Sequence, residues 1–256
     1  MNTINLYNAD CFDILPTLKE NSVDMVLCDL PYGTTQNPWD IILPWEKLWT
    51  QYNRVVKDNG AIVLFAQGLF YVDLVSSNKK MFKYDLVWDK VLTSGFLNAN
   101  RMPLRQHEQI AVFYKDAPTY NPQKVKGNPN HSKGNPKKGT NNNYGDFEWV
   151  DNKDLLGDMK HPTSIISCQK PHPSVAVHPT QKPVELLENL IKTYTNEGET
   201  VLDNCMGSGS TVLAAMNTNR KVIGIELSNE YYKIAEQRVA ENTNRLRVEK
   251  MKRRLF

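Results

Sequence analysis

Apolar residues run along the chain in two rhythms: short blocks that suit a buried strand, and longer stretches spaced three or four apart, as on one helix face. Val23-Asp24-Met25-Val26-Leu27-Cys28 is a strand block, and so are Ile4-Asn5-Leu6-Tyr7-Asn8-Ala9 before it and Ala61-Ile62-Val63-Leu64-Phe65 after it. Phe12, Ile14, Leu15 and Leu18 mark one helix, and Trp45, Leu48, Trp49, Tyr52 and Val55 another, closed by a turn at Lys57-Asp58-Asn59-Gly60. After a further helix, Tyr84–Trp88 and Gln109–Tyr114 read as strands. Thr200–Asp203 and Lys221–Glu226 bring the strands to seven, with helical patterns from Val184 and Val212. Strands alternating with helices require a mostly parallel sheet with helical crossovers, so the expected class is α/β with a doubly wound sheet. No internal repeat stands out.

The candidate chemistry lies where these strands end. Asp29-Leu30-Pro31-Tyr32 leaves the strand block at Cys28. An acid that accepts an N–H bond, a proline that fixes the turn and an aromatic stacking face can together grip a planar ring bearing an amino group. An ordinary Asp-X-Pro turn has the same local sequence. At the other end of the chain, Asp203-Asn204-Cys205-Met206-Gly207-Ser208-Gly209-Ser210-Thr211 joins a strand to a helix start. Such a glycine turn lets backbone approach a ligand and offers free N–H groups. About 20 residues on, Glu226 ends the next strand, where a ribose-hydroxyl acceptor would stand. No Lys follows the glycines, which excludes a P-loop, and the third glycine of a dinucleotide fingerprint is missing. The pattern points to a nucleoside ligand without a pyrophosphate.

These residues resemble the amino-group DNA methyltransferases that use S-adenosylmethionine. In that family an Asp-Pro-Pro-Tyr motif holds the flipped target base, and an Asp-Pro-Phe-x-Gly-Ser-Gly-Thr motif binds the cofactor. Here Leu30 stands for a Pro, and Asn204 and Cys205 for Pro and Phe. His178-Pro179-Thr180-Gln181-Lys182-Pro183 is similar to the family's third motif, at the cofactor's methionine end. Catalytic motif first and cofactor motif last is the order of the circularly permuted beta group. The resemblance implies a Rossmann-like methyltransferase fold with six parallel strands and one antiparallel insertion, divided into a catalytic half (1–114), an inserted target-recognition region (115–177) and a cofactor-binding half (178–256). It also implies that Asp29, Leu30, Pro31 and Tyr32 are catalytic, with Glu226 on the ribose, Asp10 near the adenine amino group and Phe12 on the adenine ring. Asp203, Gly207 and Gly209 would line the methionine end, closed by Thr180, Gln181 and Lys182, and the cofactor set extends to Cys11, Cys205, Ser208, Ser210, Thr211 and Leu227. Locally, Asp10 is equally a helix cap and Glu226 a surface strand end. His107 and Glu108 match a family element near the base pocket, or form a strand-edge ion pair.

By the same resemblance the reaction is direct in-line transfer of methyl to a flipped base, yielding S-adenosylhomocysteine, with no metal. An Asp-first motif is typical of adenine N6 enzymes. Cytosine N4 transfer, a structured-RNA substrate and a catalytically silent nucleic-acid binder on the same fold are the alternatives. The expected partner is double-stranded DNA, with any cognate restriction endonuclease on a separate chain and the enzyme a monomer or homodimer.

Composition agrees with this. Charged residues make up 23% of the 256, the mean hydropathy is −0.52, and no apolar run approaches the roughly 18 residues that span a bilayer. No basic-then-apolar leader opens the chain. Cys11, Cys28, Cys168 and Cys205 lack metal-ligand spacing and read as reduced thiols, so the expected location is the cytoplasm of a bacterium or phage-infected host. Net charge is only +3, but Lys115 to Tyr144 is polar and basic, with Lys124, Lys126, Lys133, Lys137 and Lys138 against the single acid Asp116. A solvated linker would look like this, and so would a loop tracking a phosphate backbone, which its place in the motif order favours. The basic tail from Arg245 to Arg254 is open to the same two readings.

Overall fold

The central strand forms where nearly every residue can be buried. In Val23–Cys28 all but Asp24 lie inside, Met25 and Leu27 facing one side of the sheet and Val26 and Cys28 the other. The computed structural model describes residues 3–37, 40–128, 139–141, 145–147, 158–170 and 181–255. In chain order the elements are β1 (Ile4–Asn8), α1 (Cys11–Ile14), β2 (Val23–Cys28), α2 (Trp45–Val55), β3 (Val56–Ala66), α3 (Gly68–Ser77), β4 (Phe82–Ser94) and β5 (Arg105–Phe113). The short strands β6 (Val125–Lys126), β7 (Gly139–Asn141), β8 (Gly145–Phe147), β9 (Met159–Lys160) and β10 (Ile165–Ser167) follow. The chain continues with α4 (Val184–Tyr194), β11 (Thr200–Asp203), α5 (Ser210–Asn217), β12 (Lys221–Glu226) and α6 (Asn229–Leu255).

The main sheet has the order β1-β12-β11-β2-β3-β5-β4-β10, in which β5 is antiparallel to both neighbours and every other pair is parallel. The expected seven strands are there with one antiparallel, and β10 adds an eighth at the edge, Ile165 facing Val87. One face carries α4, α5 and Ala235 of α6, packed through Leu186, Leu190, Ile191 and Val212. The other carries α2 and α3 through Leu48, Trp49, Tyr52, Val55, Phe70 and Leu74. The α2 residues recur at helical spacing, and burying each aliphatic side chain contributes about 2 kcal/mol.

Two expected elements differ. Lys57–Gly60 makes no chain reversal and lies inside β3, where Val23 faces Val56 and Met25 already faces Ala61. The extra residues are taken up as an irregularity pinned by Lys57 Nζ at 2.5 Å from Asp24 Oδ1. The helix expected through Leu18 stops at Ile14 and tightens into a 3₁₀ turn at Leu15–Thr17, where Pro16 supplies no N–H.

The chain forms two compact units, Met1–Asn121 with Ser164–Phe256, and Pro122–Thr163. The first holds the main sheet, including β10, although Ile165–Ser167 falls within the 115–177 interval. In the second, β6 pairs with β9 and β7 with β8, both antiparallel. Among the described residues no helix is long and apolar enough to cross a membrane.

Candidate active site

Four parallel strands, β1, β12, β11 and β2, end side by side at Asn8, Glu226, Asp203 and Cys28, and open α/β folds bind ligands at that edge. A cavity of about 540 Å³ opens there. It is lined by Asp10, Cys11 and Phe12 after β1, by Asp29, Leu30, Pro31 and Tyr32 after β2, and by Gln181 and Lys182 before α4. Asp203, Cys205, Gly207, Ser208, Ser210 and Thr211 line it from the glycine turn, and Glu226 and Leu227 from the end of β12. Gly209 stands behind the wall as the N-cap of α5. Its φ is +80°, and a Cβ there would lie 3.0 Å from Ala235 Cβ. Thr180, Lys133, Lys137 and Lys138 lie outside the described residues. Lys124 and Lys126 belong to the second unit, where Lys126 Nζ is 3.5 Å from Asp158 Oδ2.

At one end of the cavity the backbone is organised by carboxylates. Glu226 accepts from Gly207 N and Ser228 N, each at 2.8 Å, which ties the glycine turn to the end of β12. Burial raises its pKa, and burial pushes Asp203 up to about 6. Asp10 accepts from Phe12 N at 2.8 Å, so the helix-cap reading holds while the residue also lines the cavity. Three features here had no signature in the chain. Arg238 of α6 donates to Ser208 O and Oγ, at 2.5 and 3.0 Å. Tyr52 OH donates to Asn204 Oδ1 at 2.6 Å inside the core, which gives the departure from the family's Pro a structural use. Cys11, Cys28 and Cys205 lie together; the neighbouring Cys205 raises Cys11 and burial pushes Cys28 up to about 12, so these thiols stay neutral. Among the described residues no group of three or more His, Cys, Asp or Glu is placed to hold a metal ion.

At the other end stands Asp29. Its Oδ1 accepts from Tyr32 OH at 2.7 Å and its Oδ2 from Lys182 Nζ at 2.5 Å. Lys182 Nζ is also 3.3 Å from Glu108 Oε2, whose other oxygen lies 2.6 Å from Lys90 Nζ. Charges thus alternate, Lys90, Glu108, Lys182, Asp29, across four separate segments, and all but Asp29 have side chains 10% exposed or less. Burial raises the Asp29 pKa, the Lys182 charge opposes that, and the Glu108 charge adds to it. Burial would lower Lys182, but the two carboxylates outweigh it and hold the ammonium above its usual range. The Lys182 side chain therefore reaches the Asp29 end of the cavity. Glu108 is the buried ion-pair partner that local sequence allowed, with its Oε2 lacking a well-formed hydrogen bond.

Three further features shape this end. The Tyr32 ring stacks on Phe70, centroids 4.6 Å apart at 27°. Leu30 is 3% exposed and packs with the α2 and α3 core, so an apolar residue suffices where the family has Pro. Asp40 gathers the following loop by accepting from Gly33 N, Thr34 N and Thr35 N at 2.8, 2.9 and 2.7 Å, and Ile41, Ile42 and Leu43 line the cavity beside it.

Comparison with known proteins agrees with this geometry. A family model described as DNA methylase matches residues 23–237. Type II methyltransferase M.HpaI of Haemophilus parainfluenzae is 29% identical over 252 residues, covering 92% of this chain and 74% of that protein. DNA adenine methyltransferase YhdJ of Escherichia coli (strain K12) is 26% identical, over 91% of this chain and 82% of its own length. The crystal structure of an M1.HpyAVI complex with S-adenosylmethionine superposes with a TM-score of 0.63 at 26% identity, across 93% of this chain and 99% of that one. The family match begins with the strand that leads to Asp29 and runs beyond the strand that ends in Glu226, taking in both ends of the cavity, and by it the chain belongs to the N6/N4 family of DNA methylases.

Proposed function

We propose that the protein transfers a methyl group from S-adenosylmethionine to the N6 amino group of an adenine flipped out of duplex DNA. The observation that carries this is the meeting of Asp29 and Glu226 in one cavity at one sheet edge. When bound, S-adenosylmethionine supplies an electrophilic methyl group on a sulfonium. The residues fit that cofactor. Glu226 spends one lone pair of each oxygen on backbone N–H groups and keeps others for ribose hydroxyls. The glycine turn and Asp10 with Phe12 line the same cavity, and in this reading they take the methionine end and the adenine respectively.

The amino group inside a base pair is hydrogen-bonded and covered, so the target base must swing out, at a cost of a few kcal/mol. Asp29 accepts one amino hydrogen, and the Leu30 carbonyl accepts the other. Together they draw the nitrogen toward tetrahedral geometry and aim its lone pair at the methyl. Tyr32 and Lys182 already fill one site on each Asp29 oxygen, which fixes the carboxylate and leaves it acceptor capacity. Lys182 acts here as a positioning residue, steadied by Glu108 and Lys90. Tyr32, backed by Phe70, stacks on the base. Adenine is favoured over cytosine by the Asp that opens the motif and by the adenine methyltransferase among the relatives.

The second unit, Pro122–Thr163, forms the core of the target-recognition region. Lys124 and Lys126, with Lys133, Lys137 and Lys138, serve its phosphate contacts. Any endonuclease that shares the recognised sequence is a separate chain. The test of the site is Asp29→Asn: methyl transfer to unmethylated duplex DNA should fall by at least about a hundredfold, with S-adenosylmethionine affinity within about twofold of wild type. Substantial transfer by that variant would remove Asp29 from the chemistry.

A further inference from the structure

Between Lys90 and Glu108 the β4–β5 hairpin projects past the sheet's carboxyl edge, the same edge that bears Asp29. Its root is wired to the cavity, because Lys90 and Glu108 are the last two members of the charge chain that begins at Asp29. The tip is exposed but ordered by its own bonds. Gly95 takes φ +83°, Phe96–Asn98 forms a 3₁₀ turn, and Arg101 N and Met102 N donate to Asn98 O at 2.8 and 3.0 Å. Val91 adopts φ +64°, which a β-branched residue accepts only under constraint, where the β4–β5 register slips. Asp89 clamps that bend by accepting from Val91 N and Gln106 Nε2 on one oxygen and Ser167 Oγ on the other.

This held tip presents apolar side chains to solvent. Phe96 is 81% exposed, Leu97 94% and Met102 58%. From residue 91 to 107 the chain contains Arg101, Arg105 and His107 and no acid. An ordered apolar point with arginines in the same segment, whose neighbouring acids Asp89 and Glu108 are already bonded at the hairpin root, suits a polyanion whose interior is apolar. Self-association through this tip would bring the arginines of two copies together, with no acid in residues 91–107 to pair them.

We propose that the β4–β5 tip is a DNA wedge, with Phe96 and Leu97 entering the base stack beside the flipped target and Arg101 and Arg105 holding the flanking phosphates. This rests on the reading of the chain as a methyltransferase acting on duplex DNA. A wedge is needed only while the target base must be pried from its partner, so a mispaired target should need it less. The test compares wild type with Phe96→Ser/Leu97→Ser on oligonucleotide duplexes carrying the target base that wild type methylates, paired or mispaired. On the paired duplex kcat/KM should fall roughly tenfold or more, and on the mispaired duplex it should stay within roughly threefold of wild type. S-adenosylmethionine affinity and thermal midpoint should not change. Arg101→Ala/Arg105→Ala should lower the slope of log affinity against log salt by about 2 in magnitude. A paired-duplex rate equal to wild type overturns the wedge, as does an equal loss on both duplexes. So does a variant that turns a dimer into a monomer with DNA rates unchanged. Wild type that transfers no methyl to any duplex overturns the proposed function itself, and the wedge with it.

Discussion

Lys182 lies between Asp29 and Glu108, and the charges of Lys182 and Glu108 shift Asp29 in opposite directions, which makes the Asp29 environment testable by charge removal. The groups facing Asp29 are Lys182, Glu108 and Tyr32, with Cys28 and Asp203 beside it. Lys182→Met removes the cation that favours the ionised form, so the acid limb of the kcat–pH profile should move to higher pH. Glu108→Gln removes an anion that disfavours it, so the limb should move to lower pH. Lys182→Arg should restore most of the wild-type profile. Two limbs that move together would refute the positioning role. Asp203 gives a stability test. Its carboxyl rises from 3.8 to about 6 on folding because it is buried. Below 3.8 it is protonated whether folded or not, and between 3.8 and about 6 only the folded chain holds the proton. Stability therefore falls as pH rises through that window, and above it the folded state carries a penalty on the order of 3 kcal/mol. Asp203→Asn should stabilise the protein at pH 8, and denaturant titrations should show the gain fading as pH drops toward 4. A gain independent of pH would mean that Asp203 is not buried as a charge. Motif residues were legible at this scale because their chemistry and their strand-end positions coincide. The partners of Lys182 were not. Asp29 is 153 residues away, and nothing local in either segment specifies that contact.

At the scale of elements, the turn from β11 into α5 depends on backbone that only glycine adopts freely. Gly209→Ala meets two penalties, φ +80° and a Cβ 3.0 Å from Ala235 Cβ. A loss of about 1–3 kcal/mol in unfolding free energy is expected, with weaker S-adenosylmethionine binding measured by calorimetry. Retention of both would mean that the turn can relax without cost to the site. Central strands, and helices with one apolar face on the core, were readable from pattern, and β2 ends where its apolar block does. Lys57–Gly60 misled because Asp-Asn-Gly chemistry marks a turn, whereas here the flanking strand pairing absorbs those residues as an irregularity. β10 carried no strand-length apolar block. It pairs through three residues, held by Val87 N donating to Ser164 O at 2.7 Å and Trp88 Nε1 donating to Cys168 O at 2.7 Å.

For the whole molecule, the permuted motif order becomes physical in the sheet. β2 and β11 are adjacent and parallel although some 170 residues separate them, and so the first motif and the last share one cavity. Fold class and the two ends of the site followed from sequence because a parallel sheet gathers all its strand ends at one edge. The loop that Asp40 gathers and the β4–β5 tip did not, since neither has a periodic pattern. The most direct measurement is to incubate the protein with S-adenosylmethionine and unmethylated duplex DNA, digest to nucleosides and identify the products by mass spectrometry. N6-methyladenine is the predicted product, its rate of formation lowered at least about a hundredfold by Asp29→Asn. N4-methylcytosine would overturn the choice of base, and no methylated nucleoside at all would contradict the account.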